Sequence, residues 1–228
     1  MSVINPRLIY CSITGYGQTG SYKDRAGHDI NYLALSGIMG HSGRVQSGPP
    51  PLGIQIADVA GGSLHAVIGI LAAVVERSQS GQGQYIDISM TDCVAGLNSM
   101  AASASLAADV VQQPEQAILN GGSFYDYYLT KDGRYMSVGS LEPQFMTGLA
   151  AALDLPILLE KGASFHPEDR QLVKQALADQ FKTQNYEHWH HVFAALDVCV
   201  EPVLSLEEAL HTPLAIERGW LVDVPLSE

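Results

Sequence analysis

Two residues in this sequence have the types and settings that proton chemistry needs. In RAGHDINY, His28 places an imidazole at a loop-to-helix junction; in ADVAGGS, Asp58 places a carboxylate at the start of the most apolar helical stretch. Imidazoles and carboxylates are the common general bases, and groups at loops and helix starts are where a rigid scaffold often positions them. The plain alternative is structural, with His28 opening one helix and Asp58 capping another. Spacing alone leaves both readings open.

Other motifs argue for less. Gly15, Gly17 and Gly20 in GYGQTG match a dinucleotide-binding pattern after a strand. The next residues, SYKDRAG, are not an apolar helix, so no helix N-terminus is available for a pyrophosphate and no nucleotide cofactor is expected. His188, His190 and His191 crowd one helical stretch, EHWHHVF, without the i, i+4 pair that offers two imidazoles to one ion, so a solvated face and no metal are expected. Cys11, Cys93 and Cys199 lie far apart, which suggests neither a disulfide framework nor a zinc site. Cys11 and Cys93 sit in apolar runs and read as small buried hydrophobes. No G-x-S-x-G elbow supports a serine nucleophile.

The elements that must position His28 and Asp58 follow from hydrophobic period and punctuation. RLIYCSIT (7–14) reads as a buried strand ending at Gly15, followed by a Gly-rich loop. Residues 28–39 read as a short helix stopped by Gly40, and residues 43–53, with Pro49, Pro50 and Pro51, as a loop. Asp58 is then the expected N-cap of an apolar helix ending near Arg77. Val59 to Val75 carries no formal charge, but its glycines and lack of flanking anchors favour a buried core helix over a membrane span. A strand at 84–89 and a small-residue helix at 91–108 complete an α/β pattern. NGGS (120–123) marks a boundary, so residues 1–120 are expected as an α/β domain and residues 121–228 as a smaller α+β domain. The second contains a hairpin turning at Asp132 and Gly133, then helices at 143–153, 169–181 and 186–196, a short strand, and a helix near Leu206.

Of 228 residues, 46% are hydrophobic and 16% charged, enough apolar material for such domains and against disorder. A formal net charge of -12 opposes binding to nucleic acid or to an anionic membrane. The N-terminus has no basic patch before an apolar run, so a cytoplasmic location is expected.

SITGYGQTGSYKDRAGHDINYLALSGIMG, PPPLGIQIADVAGGSLHAVIGILAAVVERSQSGQGQYIDISMTD and YLTKDGRYMSVGSLEPQF together resemble the α-methylacyl-CoA racemases within the family III CoA-transferases, over about Pro6 to Trp220. The resemblance implies an α/β fold, here a partial large domain plus the smaller domain, that forms an interlocked homodimer. By resemblance His28 matches the racemase histidine, Asp58 the catalytic aspartate, and Glu142 a glutamate from the smaller domain near the histidine. Gly15, Tyr16, Gly17 and Asp29 match contacts to the CoA thioester, which is substrate rather than cofactor. The implied activity is racemisation of a 2-methylacyl-CoA in fatty acid metabolism, with a base on each face of the α carbon. N–H groups at Asp58 and Val59 are the expected seat of the enolate oxygen.

The same aspartate is the nucleophile of the family's transferases, which are not expected to carry the histidine. CoA transfer is therefore one alternative, and a folded, dimerising, inactive remnant is another. Full-length members are considerably longer, and the chain is expected to be a fragment or a shortened member. Racemases often place an asparagine four residues before the aspartate, where this chain has Ile54, with Gln55 beside it.

Overall fold

A computed structural model describes residues 3–224. The chain divides into two compact units, Met1–Asn120 and Gly121–Glu228, each with its own hydrophobic core.

The first unit is built on two parallel strands, β1 (Tyr10–Thr14) and β2 (Tyr85–Ser89), in register from Tyr10 opposite Tyr85 to Thr14 opposite Ser89. Parallel neighbours need a long crossover, which here carries α1 (Asp29–Leu35) and α2 (Ala57–Ser80). β2 runs directly into α3 (Met90–Leu97), whose start is capped by Ser89 Oγ accepting the Asp92 N–H at 3.2 Å. The single helix expected at 91–108 is two helices. Asn98 leaves the helical conformation while its Oδ1 lies 2.9 Å from His41 Nε2, and α4 (Ser99–Ala108) starts afresh beyond it.

The first eight residues of α2, Ala57–Leu64, wind as a wide π-helix. Side chains support the loosened carbonyls: Ser63 Oγ donates to Asp58 O at 3.2 Å, and His65 Nδ1 lies 2.6 Å from Ala60 O, which requires the proton on that nitrogen. Gly61 and Gly62 are buried there because α3 leaves no room for a side chain. A Cβ on Gly61 would lie 2.8 Å from Val94 Cγ2 and 2.9 Å from Met90 O. On the opposite side α2 is open. Val59, Leu64, Val67, Ile68, Leu71 and Val75 are all more than half exposed, which corrects the expectation of a fully buried core helix. Apolar composition cannot say how many sides of a helix have neighbours, and only one side of α2 meets the strands and α3. Among the described residues α2 is the one helix long and apolar enough to cross a membrane, by length and composition alone.

The second unit has the larger core. Its antiparallel sheet orders β3 (Asp126–Leu129), β4 (Tyr135–Val138) and β5 (Val200–Pro202). The expected hairpin is present, its turn closed by Gly133 N–H donating to Thr130 O at 3.1 Å, with Gly133 at φ +83°. α5 (Pro143–Leu153), α6 (Ile157–Lys161), α7 (Pro167–Phe181) and α8 (Tyr186–Ala194) contribute Leu149, Leu153, Leu158, Leu177, Phe181, Trp189 and Phe193 to the core. α9 (Leu206–Leu210) and α10 (Pro213–Glu217) come after β5. α6 and α10, five residues each, are too short to show a hydrophobic period and were not expected. Arg134 lies 3.4 Å over the Tyr186 ring and bonds both carboxylate oxygens of Glu208, at 2.8 and 2.7 Å.

The packing of α2 on α3 makes opposite expectations for two glycines. Gly61→Ala is expected to lower stability by about 1–3 kcal/mol through overpacking, whereas Gly96→Ala, where an added Cβ meets nothing within 4 Å, is expected to raise it by about 0.5–1 kcal/mol. Urea midpoints followed by circular dichroism check both, and a neutral Gly61→Ala would contradict the close contact. A second expectation concerns acid. Hydrogen bonds from Arg134, then from the Ser205 backbone, hold the Glu208 carboxyl down to about 2 from its ordinary 4.5. A lowered folded-state pKa stabilises fully above the ordinary value and is lost as pH falls toward the folded one. The stability gap between wild type and Glu208→Gln should therefore be constant at neutral pH and shrink below about pH 4.5; a gap that stays constant in acid would count against the pairing.

Candidate active site

The N-termini of α1 and α2 are joined by one carboxylate. The N-cap of α2 is Ile56, which has no side-chain acceptor for the first helical N–H groups. Asp29, first residue of α1, supplies it from elsewhere: its Oδ1 accepts the Ala57 N–H at 2.6 Å and the Asp58 N–H at 3.1 Å. Asp58 is therefore not the N-cap that spacing suggests but the second residue inside the helix, and its own carboxylate is not what closes the helix start.

His28 immediately precedes Asp29 and is the N-cap of α1, in an extended conformation. Its backbone is held on both sides. Asn31 Oδ1 accepts the His28 N–H at 3.0 Å, and the His28 carbonyl accepts from the N–H groups of Asn31 and Tyr32 at 2.8 and 3.3 Å. The residue is exposed and lines, together with Asp29, Gln55 and Asp58, a cleft of about 300 Å³. Leu33, Met39, Pro50 and Leu52 form its apolar wall. An imidazole and a carboxylate thus share a cleft with an apolar surface.

Tyr32, in α1, is buried, with 6% exposure. Burial, then the Tyr16 phenol and the Asp58 carboxylate, push its phenol above the ordinary tyrosine range. It stays a hydroxyl and donates to Gly27 O at 2.5 Å. A Cβ on Gly15 would collide with the Tyr32 ring, so the first glycine of GYGQTG serves packing. Its carbonyl is taken by the N–H and the hydroxyl of Thr91, at 3.0 and 2.7 Å. Gly17, at φ +81°, faces Asp87, whose Oδ2 accepts the Gln18 N–H at 2.9 Å.

Of the residues singled out from sequence, the structure brings His28, Asp29 and Asp58 to one cleft. Tyr16 and Gly17 line a different cavity, of about 470 Å³, with Asp87 and Asp92. Glu142 is the exposed N-cap of α5, in the second unit. The N–H groups expected to seat an enolate oxygen are already taken, Asp58's by Asp29 and Val59's by the Gln55 carbonyl at 2.9 Å. That expectation is corrected: the cap from α1 at Asp58 and the backbone bond to Gln55 at Val59 leave no orphan donor at either position. Sequence reasoning missed the cap because no local pattern ties Asp29 to a helix start 28 residues away. It also missed Tyr32, whose signal was the two glycines, Gly15 and Gly27, that make room for its ring. Among the described residues no group of three or more His, Cys, Asp or Glu side chains is arranged to hold a metal ion.

The family model for CoA-transferase family III matches residues 1–228. Alpha-methylacyl-CoA racemase of Mus musculus is 43% identical over 220 residues, covering 96% of this chain and 57% of that protein. The Homo sapiens protein of the same name is 40% identical, with the same coverage. Succinyl-CoA:glutarate CoA-transferase of Homo sapiens is 29% identical over 230 residues, 97% of this chain and 51% of that one. Among solved structures, a CAIB/BAIF family protein from Brucella suis superposes with a TM-score of 0.77 at 28% identity, covering 96% of this chain and 58% of the other. The chain spans 57% of the length of the two racemases it matches. With its whole length matched, and with the α/β fold of its structural neighbours, the chain belongs to CoA-transferase family III.

Proposed function

We propose that the protein is an acyl-CoA racemase that inverts the α carbon of a 2-methylacyl-CoA thioester, with His28 and Asp58 as its two bases. The observation that carries this reading is the convergence of the two residues on one cleft with an apolar wall. The proton α to a thioester is a weak acid, so its removal needs a positioned base. One base takes it, the C–H electrons move into the enolate, and a proton from the other base is delivered to the opposite face. Inversion in both directions requires a base on each face, one free and the other carrying a proton: the Asp58 carboxylate facing a His28 imidazolium for one epimer, and a neutral His28 imidazole facing an Asp58 carboxylic acid for the other, each turnover converting one state into the other. CoA is part of the substrate, and the proton shuttle uses neither metal nor redox cofactor. The names of the relatives at 43% and 40% identity support the reading. The reading includes a homodimer, for which the open apolar side of α2 is a supporting observation.

CoA transfer would use Asp58 differently, as a nucleophile on the thioester carbonyl that forms an aspartyl thioester. That chemistry gives His28 no task in the cleft.

In deuterated water the protein is expected to exchange the α proton of a 2-methylacyl-CoA and to equilibrate its two epimers. His28→Ala and Asp58→Ala should each slow racemisation about a hundredfold or more, as for general bases. Proton NMR of the thioester follows both processes. A thioester that binds yet keeps its α proton, or full racemisation in either variant, would defeat the reading. Hydroxylamine trapping at Asp58, with a labelled acid converted to its thioester, would replace it by transfer.

A further inference from the structure

We infer that Asp29 is a positioning residue that sets Asp58 against His28 by clamping the start of α2; this rests on the racemase reading above. The helix start cannot hold itself: Ile56 offers no acceptor, and Ala57, fully buried, would be left with an unsatisfied N–H. Asp29 Oδ1 accepts that N–H at 2.6 Å and the next one, Asp58's own, at 3.1 Å. A carboxylate also suits the positive end of a helix. The clamp is not an ordinary cap, because its acceptor comes from α1 rather than from the residue preceding α2.

The covalent arrangement gives the contact its meaning. Asp29 is bonded to His28, whose backbone is fixed by Asn31 and Tyr32. A single residue therefore ties the backbone of one base to the backbone of the other. Further along the π-helical turns Ser63, His65 and the packing of Gly61 and Gly62 on α3 hold α2, and Asp29 holds the end that carries Asp58. Proton transfer between bases on two faces of one carbon tolerates little misplacement, and an error of about 1 Å costs on the order of a hundredfold. Asp29 acts on the reaction through Asp58, not on the substrate's proton.

The prediction is selective. The substrate epimer whose α-proton exchange survives in His28→Ala is the one that Asp58 deprotonates. Asp29→Ala, and Asp29→Glu, which keeps the charge but moves the acceptor by a methylene, should slow exchange of that epimer at least about tenfold more than exchange of the other. The loss should appear in kcat, with KM within about threefold. Asp29→Asn keeps an oxygen at the Oδ1 position and should recover most of the lost rate. Equal loss for both epimers, no loss, or no recovery in Asp29→Asn would overturn the positioning role. If Asp29→Ala fails to fold, the Glu and Asn variants carry the comparison. Amide hydrogen exchange adds a readout independent of turnover: Ala57 and Asp58 should exchange faster in Asp29→Glu than in wild type or Asp29→Asn, and unchanged protection would overturn the clamp. Failure of the wild type to exchange either epimer of a bound thioester would instead defeat the racemase reading, while these amide rates still decide whether Asp29 holds the helix.

Discussion

The contact between the Asp29 carboxylate and the first N–H groups of α2 is the constraint around which the first unit is arranged. A helix start without a local cap needs an acceptor, and a buried N–H left without one costs about 1–3 kcal/mol. Once α1 supplies that acceptor, its own N-terminus must lie beside that of α2. His28, at the N-cap of α1, and Asp58, in the first turn of α2, then line one cleft as a consequence. The placement of this imidazole and this carboxylate in one cleft is thus a by-product of satisfying a backbone.

Two further features make the arrangement feasible. Small residues let α2 approach α3 closely, with Gly61 and Gly62 against Met90 and Val94, and the π-helical winding places both glycines on the buried side. In α1, Tyr32 fills the space that Gly15 and Gly27 leave and is locked by its hydroxyl to Gly27. Gly15 and Gly17 of GYGQTG are thereby explained, the first by packing and the second by backbone conformation. Asp87 and Asp92 in the neighbouring cavity add negative charge, which disfavours a phosphate there.

Much of this was legible in the sequence because it is local. The strands at β1 and β2, the Asp132–Gly133 hairpin and the longer helices of the second unit follow from period, turn residues and flanking Gly or Pro. His28 and Asp58 stand out by residue type and setting, and the resemblance to the racemases joins them. What the sequence hides is long-range. Nothing near Asp58 says that its helix is capped by Asp29, so spacing points to the wrong N-cap and with it to the wrong seat for the enolate oxygen. Likewise the apolar run from Val59 to Val75 does not reveal that only one side of α2 has neighbours, and Ile68, at 62% exposure, shows the other. A five-residue helix such as α6 carries too little pattern to announce itself.

The central claim is that the two bases address one carbon from opposite faces. A structure of the protein with a bound, unreactive 2-methylacyl-CoA analogue tests it most directly. The account expects the α carbon between the His28 imidazole and the Asp58 carboxylate, each about 3–3.5 Å away, with Asp29 still bonded to the start of α2. An Asp58 oxygen aligned on the thioester carbonyl carbon, with the His28 ring turned away from the ligand, would contradict it.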